Sequence, residues 1–410
     1  MSNHTPAPGD ATALKQPLSV EQPQGFLLPI VGAVAFAHLL NDSIQAVIAA
    51  SYPMLKAEFS LSFTQIGWIA LVYQITASLL QPWIGLHTDK HPKPYLLPMG
   101  MVVTMLGIGL LSIAGSFPML LLAASLVGVG SSTFHPEASR IARQASGGRF
   151  GTAQSLFQVG GNAGSALGPL IAALIIIPNG QRAIGWCVLI AGLAIWVLMR
   201  VTAWRLRHAP LQVVGSGGRT AGALNRRQVG RALTVICILM FAKFVYIAAI
   251  SNYFTFYMME RFNVSVQVSQ LYLFAFLGAV ALGTFAGGPV GDKIGRKAVI
   301  WISFMGVAPF ALMLPHANLF WVAVLAILVG LIMSSAFSAL VVYAQEAMPG
   351  RVGMVAGLMF GLMFGISGIA AAGLGYLADL KGVIWVYQLC AFLPLLGLAT
   401  ALLPDTRQKG

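Results

Sequence analysis

The chain has 410 residues, of which 58% are hydrophobic and 9% charged, with a formal net charge of +13. Soluble chains are roughly 25% charged, so a water-soluble multidomain enzyme of this length is excluded, and the continuous apolar runs exclude a β-barrel, whose strands alternate in polarity. The basic excess sits in short connections between apolar runs, which excludes a nucleic-acid-binding surface.

Residues 1–26 read as a disordered cytoplasmic tail. Pro6, Pro8, Pro17 and Pro23 with mixed charge precede the first apolar run at Phe26, and no signal-peptide core is present. A helix needs about 20 apolar residues to cross a bilayer. The runs predict spans near 27–50, 63–86, 95–115, 119–141, 151–177 and 183–204, then near 232–258, 267–290, 298–314, 319–345, 352–377 and 383–403. The expected fold is an all-α polytopic membrane protein of twelve transmembrane helices in two pseudo-symmetric six-helix bundles, 27–204 and 232–404. Residues 205–231, rich in arginine with a Gly/Ser patch, are expected to form a cytoplasmic linker, and 405–410 a short cytoplasmic tail. With the N-terminus inside, inner segments hold 19 of the 24 basic residues, outer loops hold Lys56, Arg182, Arg261 and Lys381, and Lys243 lies within a span. The excess of inner positive charge predicts both termini in the cytoplasm of a bacterial inner membrane.

Polar residues inside the spans are costly and therefore informative. In span 1, His38 and Asp42 are an i, i+4 pair on one helix face, with Asn41 and Gln45 extending it; they suit proton handling, or a static contact between helices. In span 5, Gln154, Gln158 and Asn162 recur every four residues and suit either substrate binding or helix-to-helix hydrogen bonds. Gly160, Gly161, Gly164 and Gly168-Pro169 on that span suit close packing and bending, and the glycines of span 11 (Gly353, Gly357, Gly361, Gly365 and Gly368) suit packing. Glu137 and Glu346 fall near inner ends of spans 4 and 10, where wetted charges are common. Lys243 lies about ten residues into span 7, roughly 15 Å deep at 1.5 Å per residue. At that depth its ammonium cannot readily reach water, and it suits an anchor for an anionic substrate or a part of the coupling machinery, against the plainer reading of a lysine neutralised by burial. Cys187, Cys237 and Cys390 lie unpaired in apolar runs, so neither a disulfide framework nor a metal site is expected.

The halves repeat each other. Gly85-x-x-x-Asp89-Lys90 returns 203 residues later as Gly288-x-x-x-Asp292-Lys293, and Ser131-Ser132-x-Phe134 returns at the same offset as Ser334-Ser335-x-Phe337. Gly148-Arg149-x-Gly151 returns 202 residues later as Gly350-Arg351-x-Gly353, and Phe36-Ala37-His38 corresponds to Phe241-Ala242-Lys243 at an offset of 205. Parallel repeats of this kind belong to transporters that rock about a site between their halves.

The run Gly288-Pro-Val-Gly-Asp292-Lys293-Ile-Gly295-Arg296-Lys297 resembles the cytoplasmic loop signature of the major facilitator superfamily. Its first copy departs from the pattern at Pro92 and Pro94. Within that superfamily, His38-Leu-Leu-Asn41-Asp42, Thr88-Asp89-Lys90-His91-Pro92, Phe134-His135-Pro136-Glu137 and Gln158-Val-Gly-Gly-Asn162 resemble the fosmidomycin-resistance carriers of bacteria. The resemblance implies transport by alternating access. It also implies a cytoplasmic latch involving Asp89, Lys90 and Lys93 in one half and Asp292, Lys293 and Arg296 in the other.

The chain carries no nucleotide-binding loop and no cluster of Cys and His, so no enzymatic activity and no cofactor are expected, and a gradient is the expected energy source. The expected function is proton-coupled efflux of small amphipathic or anionic compounds, including antibiotics resembling fosmidomycin. Lys243, His38, Gln158 and Asn162 are the candidate substrate contacts, and Asp42 with His38 the candidate proton carriers. The alternatives are a proton-coupled importer of organic anions or sugars and, more remotely, a membrane-embedded enzyme or scaffold. The expected partners are substrate, protons and lipid, without nucleic acid or an obligate protein partner.

Overall fold

The computed structural model describes residues 25–90, 93–147, 149–207, 225–348 and 352–404. Among them there is no β-strand. Eleven helices are long and apolar enough to cross a membrane, and Leu96–Ser112 is a shorter apolar twelfth. Helices satisfy their backbone hydrogen bonds internally, which a chain in lipid requires. Large side chains such as Leu79, Trp83, Leu106, Leu282 and Phe285 are exposed on the outside of the bundle, as a lipid-facing surface requires and a water-facing one does not.

The helices of the first half are α1 (Leu28–Ala50), α2 (Phe63–Lys90), α3 (Leu96–Ser112), α4 (Phe117–Gln144), α5 (Phe150–Ile171) and α6 (Cys187–Arg207). Those of the second half are α7 (Arg226–Phe262), α8 (Val266–Ile294), α9 (Arg296–Met305, its span continued by short helical turns to His316), α10 (Leu319–Ala347), α11 (Val352–Lys381) and α12 (Val383–Cys390, its span continued as 3-10 helix to Leu402). Odd-numbered helices run away from the end that holds residues 25 and 404, the first and last described, and even-numbered ones return to it. A short helix at Tyr52–Glu58 covers the far end of α1.

Two junctions differ from a simple reading of the apolar runs. Residues 226–231, expected in the linker, are the first turns of α7. Asn225 accepts a hydrogen bond from the Gln228 backbone at 2.9 Å while the Gln228 side chain accepts from the Asn225 backbone at 3.0 Å, and this reciprocal cap starts the helix early. Arg205 and Arg207 close α6. The segment 208–224 lies outside the described residues, as do the tail 1–24 and residues 405–410. In α5, Pro169 has no N–H to continue the helical ladder, and the turn that follows, Ala172–Ile176, is a π-helix, which bends the span.

Within each half the packing is pairwise: α1 on α5, α2 and α3 on α4, α8 and α9 on α10. The halves meet along α2 against α11 and α5 against α8. Glycine sets the closest approaches. A Cβ on Gly164 would stand 2.9 Å from the Leu39 Cα of α1, so α5 and α1 touch backbone to backbone. The glycines of α11 divide. Gly368 lies against Gln74 and Leu71 of α2, whereas a Cβ on Gly361 or Gly365 would meet nothing within 4 Å. The close packing expected of Gly361 and Gly365 is therefore not what the structure shows: a Cβ there enters open space, although Phe360 and Phe364 beside them meet Phe337 and His135. The side chains at 353 and 357 lie outside the described residues.

At the end remote from the termini the halves are tied together. Asp379 at the C-terminal end of α11 accepts from the backbone N–H groups of Phe63 and Thr64 at 2.8 and 2.7 Å, and from the Thr64 hydroxyl at 2.6 Å. A carboxylate here meets both the orphan donors and the positive pole of α2. Gln270 of α8 donates to the carbonyl of Ala50 at 2.7 Å, a second tie at the same end.

Candidate functional site

Between the halves lies a cavity of about 310 Å³. Its walls combine aromatic rings (Phe244, Phe337, Phe360 and Phe364) with a small number of polar groups, the usual make-up of a small-molecule site. The four side chains expected to contact substrate, Lys243, His38, Gln158 and Asn162, all line it, and so does Asp42.

On the first half, α1 contributes His38 and Asp42 one turn apart. His38 Nε2 stands 3.3 Å from Asp42 Oδ2, and its Nδ1 lies 2.7 Å from the carbonyl oxygen of Phe157 on α5. The imidazole stacks on the Phe157 ring with centroids 4.0 Å apart, which fixes its plane as well as its edge. Asn41 donates to Asp42 Oδ1 at 2.9 Å. From α4, His135 Nε2 approaches Asp42 Oδ1 to 3.7 Å. The donors of His38, Asp42 and His135 lie within 4.8 Å of one another, the one such trio among the described residues. They are close enough to share a small cation. Gly161 of α5 closes the back of this cluster, where a Cβ would stand 2.9 Å from Asp42 Oδ2. Below it Gln45 donates to Ser131 at 3.0 Å and accepts from the Tyr73 hydroxyl.

On the second half, Lys243 is 4% exposed. Its ammonium donates to the carbonyl of Met333 on α10 at 2.9 Å, with that of Ser334 at 3.4 Å. The rings of Phe244 and Phe337 lie 5.8 and 5.9 Å away, inside cation–π range. Among the described residues no carboxylate pairs with it. Its Nζ is held by carbonyl dipoles and ring faces alone, with no counter-charge among the described residues. The 205-residue offset between His38 and Lys243 has a structural meaning. Each sits on the first helix of its half, lines the cavity and reaches a backbone carbonyl on a neighbouring helix.

The polar stripe of α5 splits. Gln158 and Asn162 face the cavity, and Asn162 donates across the halves to Thr284 of α8 at 2.9 Å. Gln154 instead accepts from Ser139 at 2.9 Å, within its own half. Glu137, expected in a wetted interface, is fully buried and bonded to Arg140 at 2.7 Å and to Arg205 at 2.8 Å. It joins α4 to α6 because the arginine at the end of α6 turns inward, an arrangement with no signal in the spacing of the acidic residues alone. His135 carried no assigned role in the sequence. The available signal was a histidine inside an apolar span, in the string Phe134-His135-Pro136-Glu137. Of the loop residues, Lys93 is exposed and Arg296 opens α9. The side chains of Asp89, Lys90, Asp292, Lys293 and Glu346 lie outside the described residues.

Comparison with known proteins gives a consistent picture. A family model described as Major Facilitator Superfamily matches residues 34–259 and 232–410. The chain is 56% identical over 380 residues to the fosmidomycin resistance protein of Escherichia coli, covering 93% of this chain and 94% of that one. It is 43% identical over 393 residues to an uncharacterized MFS-type transporter, YfnC, of Bacillus subtilis, covering 95% and 96%. Among solved structures, a bacterial homologue of the human lysosomal transporter Spinster, in an inward-facing and occupied conformation, superimposes with a TM-score of 0.68 at 14% identity, covering 91% of this chain and 94% of that one. The nucleoside transporter NupG does so with a TM-score of 0.69 at 12% identity, covering 92% and 99%.

Proposed function

The chain belongs to the major facilitator superfamily, and we propose that within it this protein is a proton-coupled efflux carrier of the bacterial inner membrane. Its substrates are small amphipathic or anionic compounds, including antibiotics resembling fosmidomycin. The observation that carries the reading is the pairing of opposite charges from opposite halves in one cavity. Lys243 supplies an uncompensated cation from the second half, and Asp42 with its histidines supplies a titratable group from the first. The likeness to the fosmidomycin resistance protein supports the efflux direction and the substrate class.

In this reading the halves rock about the cavity. The ties of Asp379 to α2 and Gln270 to α1 close the outer end, and the opposite end faces the cytoplasm. The residues Asp89, Lys90, Lys93, Asp292, Lys293 and Arg296 form the latch that closes that inner end in the opposite state. No protein partner is required for the cycle. A substrate anion near Lys243 and a proton at Asp42 attract one another, so antiport requires that protonation select between conformations rather than merely assist binding.

The test is flux in inside-out vesicles containing the purified chain, with an imposed proton gradient, acid inside, and fosmidomycin as substrate. Uptake into the vesicle lumen that collapses with the gradient is the expected result. Gradient-driven movement in the opposite direction identifies an importer that carries proton and anion together, and equal flux with and without the gradient overturns the coupled reading.

A further inference from the structure

We propose that His38, Asp42 and His135 form one proton site, in which the Phe157 carbonyl locks the tautomer of His38 and the conformation closed at the outer end holds one proton between His38 and Asp42. This rests on the proton-coupled reading above and adds to it a lock, a third member and a loading state.

The lock follows from hydrogen-bond inventory. A backbone carbonyl only accepts, so His38 Nδ1, 2.7 Å from the Phe157 oxygen, carries a hydrogen. In the neutral ring the lone pair is then on Nε2. That atom is buried and makes no hydrogen bond of its own, yet it faces Asp42 Oδ2 at 3.3 Å. A neutral imidazole beside an ionised carboxylate would place two acceptors face to face in a site removed from water, which is costly. One additional proton removes the conflict, carried either on Oδ2 and donated to Nε2 or on Nε2 and donated to the carboxylate. The Asn41 amide donates to Oδ1, marking that oxygen as acceptor and leaving Oδ2 as the proton-bearing one.

The surroundings contain few competitors. From α4, His135 Nε2 lies 3.7 Å from Oδ1, just beyond a hydrogen bond, so the proton shared at Oδ2 reaches it only when the carboxyl group turns. From α2, the Tyr73 hydroxyl is committed to Gln45. Among its cavity-lining residues α5 offers Gln158, Gly161, Asn162, Ser165 and Pro169, none of which titrates in the working range, and Tyr52 of the short helix and Lys243 of the second half are the further titratable groups that line the same cavity. His135 also touches the opposite half, with its ring 5.6 Å from that of Phe364 on α11. A proton leaving the His38–Asp42 pair for His135 therefore breaks the bond that joins the pair and moves charge onto the seam between the halves.

The experiment is nitrogen NMR of the full chain labelled with ¹⁵N-histidine, reconstituted in lipid nanodiscs and freed of metal ions by a chelator. His38 is assigned through its dipolar contact with the ¹³C-labelled Phe157 carbonyl, and independently by signal loss in His38→Gln. The expected spectrum shows Nδ1 protonated throughout, while Nε2 changes from proton-sharing to bare as pH rises. The midpoint of that change should move by about one pH unit in His135→Gln, the smaller end of what a neighbouring charge produces. An Nε2–H tautomer with bare Nδ1, or a midpoint unmoved in His135→Gln, overturns the proposal. Because the spectra need no transport, their failure leaves the efflux reading standing. Absent gradient-driven efflux with the expected spectra removes the transport reading alone.

Discussion

Asp379 ties α11 to the first turn of α2 with three hydrogen bonds, two from backbone N–H groups and one from the Thr64 hydroxyl, and in the proposed cycle this tie closes the outer end of the cavity. Asp379→Ala removes all three and leaves the α2 donors to water. Bonds to a charged acceptor are worth roughly 1.5–3 kcal/mol each when buried, but Asp379 is exposed. Loss of an exposed helix cap typically costs about 1 kcal/mol, and that lower figure applies here. In the proposed cycle the tie exists only in the outward-closed state, so the whole of it biases the equilibrium between states. About 1 kcal/mol corresponds to roughly a fivefold shift in population. The assay is labelling of Ala49→Cys, a half-buried cavity position near the closed end, by a membrane-impermeant thiol reagent applied to the outer face. Cys187, Cys237 and Cys390 are replaced first. With the open state in the minority, the labelling rate should rise about fivefold in the Asp379→Ala background, while Asp379→Asn should fall between the two. An unchanged rate in Asp379→Ala would mean that the trans-cap contributes nothing to closure, and the assignment of this end as a gate would fail.

Three further outcomes are expected. Lys243→Ala should weaken binding of anionic substrates at least tenfold and spare neutral ones, measured by ligand-induced quenching of intrinsic fluorescence. Lys243→Arg should not restore binding, since a planar guanidinium does not fit a compact ammonium site made of two carbonyls and two ring faces; equal loss for both substrate types would refute the anchor. Gly161→Ala places a methyl group 2.9 Å from Asp42 Oδ2 and into the His38 ring, so it should cost about 1–3 kcal/mol of stability and abolish gradient-driven flux, whereas Gly192→Ala, where a Cβ meets nothing within 4 Å, should leave both unchanged in thermal unfolding and flux assays. Asp89→Asn should slow transport several-fold with unaltered membrane insertion, and Asp292→Asn less so; normal transport by both would reduce these loops to ordinary turns.

How much of this was legible in the sequence depends on distance along the chain. The spans follow from continuous apolar runs, since lipid leaves the backbone few choices, and the two-half architecture from repeats at a near-constant offset. His38 and Asp42 are legible as a pair because four residues make one helical turn. Lys243 is legible because a charge so deep in a span is costly. What pattern cannot supply is contact between helices. His135 is 93 residues from Asp42, and the Phe157 carbonyl that orients His38 is a backbone atom without a sequence signature. Glu137 looked interfacial because its depth was judged from its own helix, while the partner that buries it, Arg205, comes from α6. The glycines of α5 and α11 look alike as strings, yet those of α5 meet the α1 backbone whereas Gly361 and Gly365 face open space. Only the placement of the helices separates the two cases.

The central claim is that Asp42 carries the coupling proton while Lys243 holds the substrate. It is tested most directly by comparing Asp42→Asn with the wild type in proteoliposomes, with labelled fosmidomycin measured in two modes on the same preparation. The carboxamide can donate to His38 Nε2 as a protonated carboxyl would, so the variant should stay folded and behave as permanently loaded. The account predicts that accumulation driven by a proton gradient is lost while exchange of labelled for unlabelled substrate, with no gradient imposed, continues near the wild-type rate. Accumulation that still follows the proton gradient in Asp42→Asn would contradict it.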